Sequence, residues 1–280
     1  MNCFCFLDKK KSKRPFRSKN ISFYYNFYDK INMKKVNYYK CDKCGLVFSS
    51  LLRQKRNIIQ KKLSEYYGEE YFGKYYKKKN FIGYQNRKIQ YNLDKKYLLK
   101  NYIDSRHKKI LDFGCGNGEF LKKFKSQKFG YEFNKSIEKK GSINYLGYKN
   151  ISNKKFDLII MRGVIEHIPD FASVLKKLFR CLKQGGIFYI TATPNTLSLP
   201  YLIAPNKFNQ NNFGHIYHFN HLNLGLFFLK HNFLNLQIAF QYDETPYKNH
   251  KLDFKNLKNM KKVSPPHPGN MMTLVFKKMK

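Results

Sequence analysis

The chain has 280 residues, of which 42% are hydrophobic and 17% aromatic, enough for one large domain or a core domain with an appendage; global disorder is excluded. Lys and Arg number 55 against 18 Asp and Glu, a formal charge of +37, and six cysteines are too sparse for a disulfide scaffold. The longest uncharged stretch, 184–206, is interrupted by Pro194, Pro200 and Pro205 and does not read as a membrane-spanning helix. The start MNCFCFLDKKKSKR reverses the charge order of a secretion signal, so the expected location is cytoplasmic.

Residues 1–57 are basic and aromatic, and runs such as ISFYYNFY fit short strands. Cys41-Asp-Lys-Cys44-Gly has the knuckle spacing of a zinc ribbon. Cys3 and Cys5 are the amino-terminal candidates for the other two ligands of a structural zinc, with four reduced thiols as the alternative. Residues 58–107 read as a helical linker or cap, where LSEYYGEEYFGKYY is rich in Tyr and Ile89, Leu93, Tyr97 and Leu98 recur at helical spacing.

Over 108–280 strands alternate with helices. KILDFG is a strand entering a glycine turn, EFLKKFKSQ (119–127) a helix, FGYEF a second strand, INYLGY a weak third and FDLIIMRG a fourth. DFASVLKKLFRCLKQGG is an amphipathic helix stopped by Gly185 and Gly186, and GIFYITATPN is a fifth strand closed by Pro194. HLNLGLFFLKHNF follows as a helix, LQIAFQYD and MMTLVFKKM as strands. This alternation predicts an α/β fold, a parallel sheet covered on both faces.

Lys, Asn, Ile, Tyr and Phe are abundant and Trp is absent, a bias expected of AT-rich coding. Coding bias does not account for the scarcity of acids, which points to a substrate carrying phosphate, pyrophosphate or carboxylate. The basic residues are spread along the chain rather than gathered in one block, so nucleic acid is the weaker expectation.

The most informative segment is LDFGCGNGEF, with Gly114, Gly116 and Gly118 after an apolar strand. A dinucleotide turn would place its third glycine where this chain has Glu119, and no Gly-Lys-Ser/Thr follows. Asp112 before the glycines suits a positively charged ligand. Glu132, at the end of the second strand, can accept two hydrogen bonds from a ribose diol.

In this combination LDFGCGNGEFL resembles the first motif of the class I S-adenosylmethionine-dependent methyltransferases. KKFDLIIMRGVIEHIPD resembles their fourth-strand motif, and LKQGGIFYITATPN their fifth strand, with Gln184 where Pro is common. YYKCDKCGLVF, SEYYGEEYF and HIYHFNHLNLGLFFLKHNF resemble a subgroup with a small Cys-rich, zinc-ribbon-like module before the core, whose members often modify sugars of surface polysaccharides. The resemblance implies a Rossmann-like seven-stranded sheet with helices on both faces plus that amino-terminal module. It implies S-adenosylmethionine held by Asp112, Gly114, Cys115, Gly116, Gly118 and Glu132, with Leu146 and Gly147 bordering the adenine and Met161 and Arg162 closing the pocket. Candidate bases for an acceptor hydroxyl are His167, His215 and His218. For His167 the alternative is a brace for the turn before Pro169. A zinc site from His215, His218 and His221 lacks helical spacing. The expected acceptor is a small molecule, a sugar or glycan precursor. RNA held by the basic amino-terminal region is the alternative, as is a non-catalytic binding protein of the same fold. Arg162-Gly-Val-Ile-Glu-His, where base-modifying enzymes often carry Asn/Asp-Pro-Pro-Tyr/Phe, favours the small molecule. Thr196 to Gly214 is expected to shape the acceptor pocket or a lid.

Overall fold

A computed structural model describes residues 21–29, 34–68, 73, 82–103, 108–135, 137, 141–207, 213–240, 248–259 and 269–280. Cys3 and Cys5, two of the four cysteines read as a zinc set, lie outside the described residues.

The strands are β1 (Ile21–Asp29), β2 (Lys34–Cys41), β3 (Val47–Ser49), β4 (Lys109–Phe113), β5 (Gln127–Tyr131), β6 (Asn144–Tyr145), β7 (Phe156–Arg162), β8 (Leu182–Pro194), β9 (Tyr217–His218), β10 (Phe233–Ala239) and β11 (Met271–Lys278). The α-helices are α1 (Arg56–Tyr66), α2 (Ile82–Asn101), α3 (Phe171–Cys181), α4 (Leu199–Ile203), α5 (His221–Leu229) and α6 (His250–Asn259). Seven strands form one sheet in the order β10-β11-β8-β7-β4-β5-β6, and β11 alone runs antiparallel to its neighbours. The order reverses direction beside β4, where the chain leaves the sheet in opposite senses and ligands of open α/β sheets bind.

Period-two alternation explains the central strands. Leu111, Ile159, Met161, Phe188 and Ile190 enter one buried cluster together with α3 and α5, while Ile110, Leu158, Ile160, Ile187 and Tyr189 enter a second with α2. A sheet buried on both faces needs apolar residues at successive positions, which is how LIIM, 158–161, reads.

Three expectations are corrected. The helix after the glycine turn is a single 3-10 turn, Leu121–Lys123. The five residues of β4 span roughly 17 Å, and a helix returning along them needs about eleven residues. Only 119–126 separate the turn from β5, so the segment returns in a looser form and buries Phe120, Leu121 and Phe124 on the way. Second, α3 stops at Cys181 and Gly185 does not cap it. Residues 183–186 bulge out of β8 between the Phe156–Leu182 and Leu158–Ile187 pairs, with Gly185 at φ +71°. Third, the amino-terminal strands are not self-contained. They form a four-stranded sheet, β1-β2-β3-β9, whose last strand comes from beyond residue 200, and Tyr25, Tyr38 and Phe48 share a buried cluster with Phe188. A boundary at residue 57 therefore divides the sequence but not this core. Cys41 and Cys44 bound the β2–β3 turn, which Gly45 closes with φ +68° and an N–H bond to the Cys41 carbonyl of 2.8 Å. No helix among the described residues is long and apolar enough to cross a membrane.

Candidate active site

A cavity of about 690 Å³ opens at the carboxyl ends of β4, β5, β7 and β8, roofed by α1 and α2. Asp112, Gly114, Cys115, Glu132 and Arg162 line it, as do His167 and His215.

The turn after β4 is held by backbone bonds: Gly114 and Cys115 both donate to the Tyr131 carbonyl, at 2.7 and 3.1 Å. Gly114 takes φ +87°, and a Cβ there would fall 2.4 Å from Val164 Cγ2, so only glycine fits. Gly116 donates its N–H to Glu132 Oε2 at 2.8 Å, and Asn134 donates to Oε1 at 2.9 Å. Beside these bonds the Glu132 carboxylate retains acceptor capacity for a diol. Burial raises Glu132 above the ordinary carboxylate range, and these N–H bonds oppose it. Asp112 is fully enclosed and its Oδ1 has no hydrogen-bond partner; burial pushes its pKa up to about 7, against the pull of the Arg162 guanidinium. An enclosed carboxyl with an unpartnered oxygen, on the lining of a cavity of ligand size, fits the cationic methionine end of S-adenosylmethionine, and Glu132 fits its ribose.

Other assignments move. Gly118 does not line the cavity; it makes room for Ile143 and Tyr145, since a Cβ would fall 2.1 Å from Ile143 Cδ1. Met161 is wholly buried in the core, away from the cavity lining. Arg162 lines the cavity but spends its charge on α2: Nε bonds Asp94 Oδ2 at 2.9 Å, the guanidinium bonds Gln90 at 2.7 Å and it lies 4.8 Å over the Tyr91 ring.

At the opposite end, the 3-10 turn Ile165–His167 after β7 presents Glu166 and His167. His167 Nδ1 lies 2.8 Å from the Gly214 carbonyl, which can only accept, so Nδ1 carries the proton and Nε2 the lone pair. Burial depresses His167 to about 4, leaving it neutral at pH 7, and pushes Glu166 up to about 8. The His215 ring lies 4.7 Å from that of His167. Glu166, His167 and His215 each have a ligand atom within 4.8 Å of the others, a set able to take a metal ion. His218 is not brought here: its Nδ1 sits 2.8 Å from the Tyr201 hydroxyl and 3.1 Å from that of Tyr25, away from the cavity lining, where it ties β9 to β1 and α4. That enclosure depresses it to about 3. His221 instead begins α5, its ring 5.4 Å from Phe240, so the three histidines do not meet as a zinc site.

Residues not anticipated from the sequence include Arg56, Gln60, Ser64, Tyr66 and Tyr67 of the α1 region and Arg87 and Tyr91 of α2. Their one signal was the Tyr-rich stretch before α2.

Residues 83–238 match the family model described as a methyltransferase domain. Human arsenite methyltransferase is 29% identical over 115 residues, 40% of this chain and 31% of its own length. The tRNA U34 carboxymethyltransferase of Campylobacter hominis is 31% identical over 112 residues, 33% of this chain and 39% of its own. The chain thus spans well under half the length of these relatives. The ubiquinone biosynthesis O-methyltransferase of Pelagibacter ubique is 29% identical over 164 residues, half of this chain and 68% of its own. Magnesium protoporphyrin IX methyltransferase from Synechocystis PCC 6803, solved with bound S-adenosylhomocysteine, shares the fold at TM-score 0.52 and 10% identity, covering 80% of this chain and 100% of that one. Motif, strand order and family match agree: the chain belongs to the methyltransferase-domain family.

Proposed function

We propose that the acceptor is a hydroxyl of a small molecule, a sugar or glycan precursor, and that His167 removes its proton. The observation that carries this is the fixed tautomer of His167, whose Nδ1 is committed to the Gly214 carbonyl while the residue lines the cavity. Tyr66 and Tyr67 with Gln60 and Ser64 supply flat apolar faces beside hydrogen-bonding groups, a wall suited to a sugar ring.

The bound cofactor supplies a methyl carbon already activated by its sulfonium. Asp112 and Glu132 would hold its two ends, and the α1 and α2 roof excludes water, so the remaining work is alignment and proton removal. Depression of His167 keeps its Nε2 unprotonated at pH 7. It also makes that nitrogen a weak base, and Glu166, whose Oε1 lies 3.9 Å away, is itself mostly protonated at pH 7 and supplies no standing charge there. Arg87 on the lining fits an anionic group on the acceptor, beside Arg56, whose Nη1 pairs with Asp170 Oδ2 at 3.2 Å.

In a screen of acceptors that follows S-adenosylhomocysteine release, His167→Ala is expected to lose about a hundredfold or more of turnover with cofactor affinity unchanged. Full turnover in that variant would remove His167 as the base. RNA is a second reading, favoured by the charge of +37 and by the tRNA-modifying relative. It predicts RNA binding that falls steeply with salt.

A further inference from the structure

One hydrogen-bonded run crosses the cavity from the ribose carboxylate to the acceptor-side histidine. Asn134 donates its N–H to Glu132 Oε1 at 2.9 Å and its side-chain amide to the Tyr67 carbonyl at 3.0 Å. The Tyr67 hydroxyl then lies 3.2 Å from His167 Nδ1. Because that nitrogen carries its proton toward the Gly214 carbonyl, the tyrosine oxygen takes a second share of the same N–H.

Tyr67 stands at the carboxyl end of α1, ahead of the residues matched by the family model. Its ring meets that of His167 edge to face at 4.8 Å. It approaches Gly214 so closely that a Cβ there would fall 2.4 Å from the tyrosine oxygen. The glycine whose carbonyl holds the imidazole is therefore also the residue whose missing side chain admits Tyr67. A tyrosine that only filled the wall would need neither the Asn134 amide on its carbonyl nor a glycine beside its hydroxyl.

We propose that Tyr67 is a positioning residue that ties the orientation of the His167 ring to occupancy of the ribose-binding turn. The inference rests on the role given above to His167. A diol on Glu132 shares the oxygen that accepts from Asn134 and draws on its charge, and Asn134 transmits the adjustment through the Tyr67 carbonyl to the ring beyond. The methyl acceptor would then meet a correctly set base only when the cofactor is loaded.

The test is nitrogen-15 NMR of the histidine rings of the full chain, with S-adenosylhomocysteine as the probe and calorimetry to establish that it binds. In the wild type the probe is expected to shift the His167 resonances. In Tyr67→Phe, which keeps the ring and loses the hydroxyl, the probe should bind within about twofold of wild-type affinity while the His167 shift falls by more than half. Asn134→Ala cuts the same tie at its other end and should give the same loss, so the test survives misfolding of either variant. Equal shifts in wild type and variants, or none in the wild type despite binding, would overturn the tie. Absence of binding to the wild type would overturn the cofactor site itself, and the tie with it.

Discussion

Asp112 shows how much one side chain can decide. Its position before the glycines marks it as a partner for a cation, and the enclosed carboxyl with an unpartnered Oδ1 agrees. Since burial raises it to about 7, the carboxylate that a sulfonium-bearing amino acid requires is a minority form at pH 6 and the major form at pH 8. Affinity for S-adenosylmethionine is therefore expected to tighten by about tenfold over that interval, one proton being released on binding. Calorimetry at the two pH values checks this; affinity flat across the interval would show that Asp112 does not face the ligand's charge. The placement of Asp112, Gly114 and Glu132 at one cavity was legible in the sequence because neighbours a few residues away set it. Gly118 and Met161 lie off the cavity lining, which local spacing does not reveal because it does not say which side of a turn or strand faces the cavity. For Tyr67 only the Tyr-rich stretch was legible, since its partners His167 and Gly214 come from distant parts of the chain.

Among the elements, α2 depends on a contact no periodicity reveals. Its acid Asp94 is buried, pairs with Arg162 at the end of β7, and accepts hydrogen bonds from Tyr189 and Thr191 of β8 at 3.2 and 3.3 Å. Removing one partner of an enclosed pair strands the other charge. Asp94→Ala is expected to cost about 3–5 kcal/mol in urea unfolding, and a double replacement of Asp94 and Arg162 by apolar residues of similar size should cost less. A loss under 1 kcal/mol for the single variant would mean that α2 is not docked through this pair. The strands of the large sheet were legible because apolar runs and glycine turns bound them. The four-stranded sheet was not, because β9 is two residues long and completes a sheet begun by β1 far earlier in the chain. The 3-10 turn after Gly118 was hidden for a related reason: EFLKK has helical composition, and only the distance to be covered rules the helix out.

For the molecule as a whole, buried titratable groups at the cavity set a pH dependence opposite to that of a surface ion pair. Asp112 and Glu166 bind protons in the folded chain up to about 7 and 8, whereas unfolded carboxyls release theirs near 4. The folded state thus holds more protons than the unfolded one, and stability falls as pH rises through those values. Below about 6.5 the depressed His167 and His218 act the other way, because their unfolded forms take up protons first. Between pH 6.5 and 8 the carboxyls outweigh the histidines, whose unfolded forms finish losing their protons there, and the protein is expected to lose on the order of 2 kcal/mol, read from urea midpoints. A flat or rising profile would show that these carboxyls are ionised throughout. The central claim is that Asp112, Glu132 and the glycine turn hold the nucleoside donor, and a crystal structure grown with S-adenosylhomocysteine tests it most directly. One molecule is expected in the cavity, with its ribose hydroxyls on Glu132 and its amino group toward the Asp112 carboxyl. A nucleoside bound elsewhere, or a cavity filled by the protein's own atoms at saturating ligand, would contradict it.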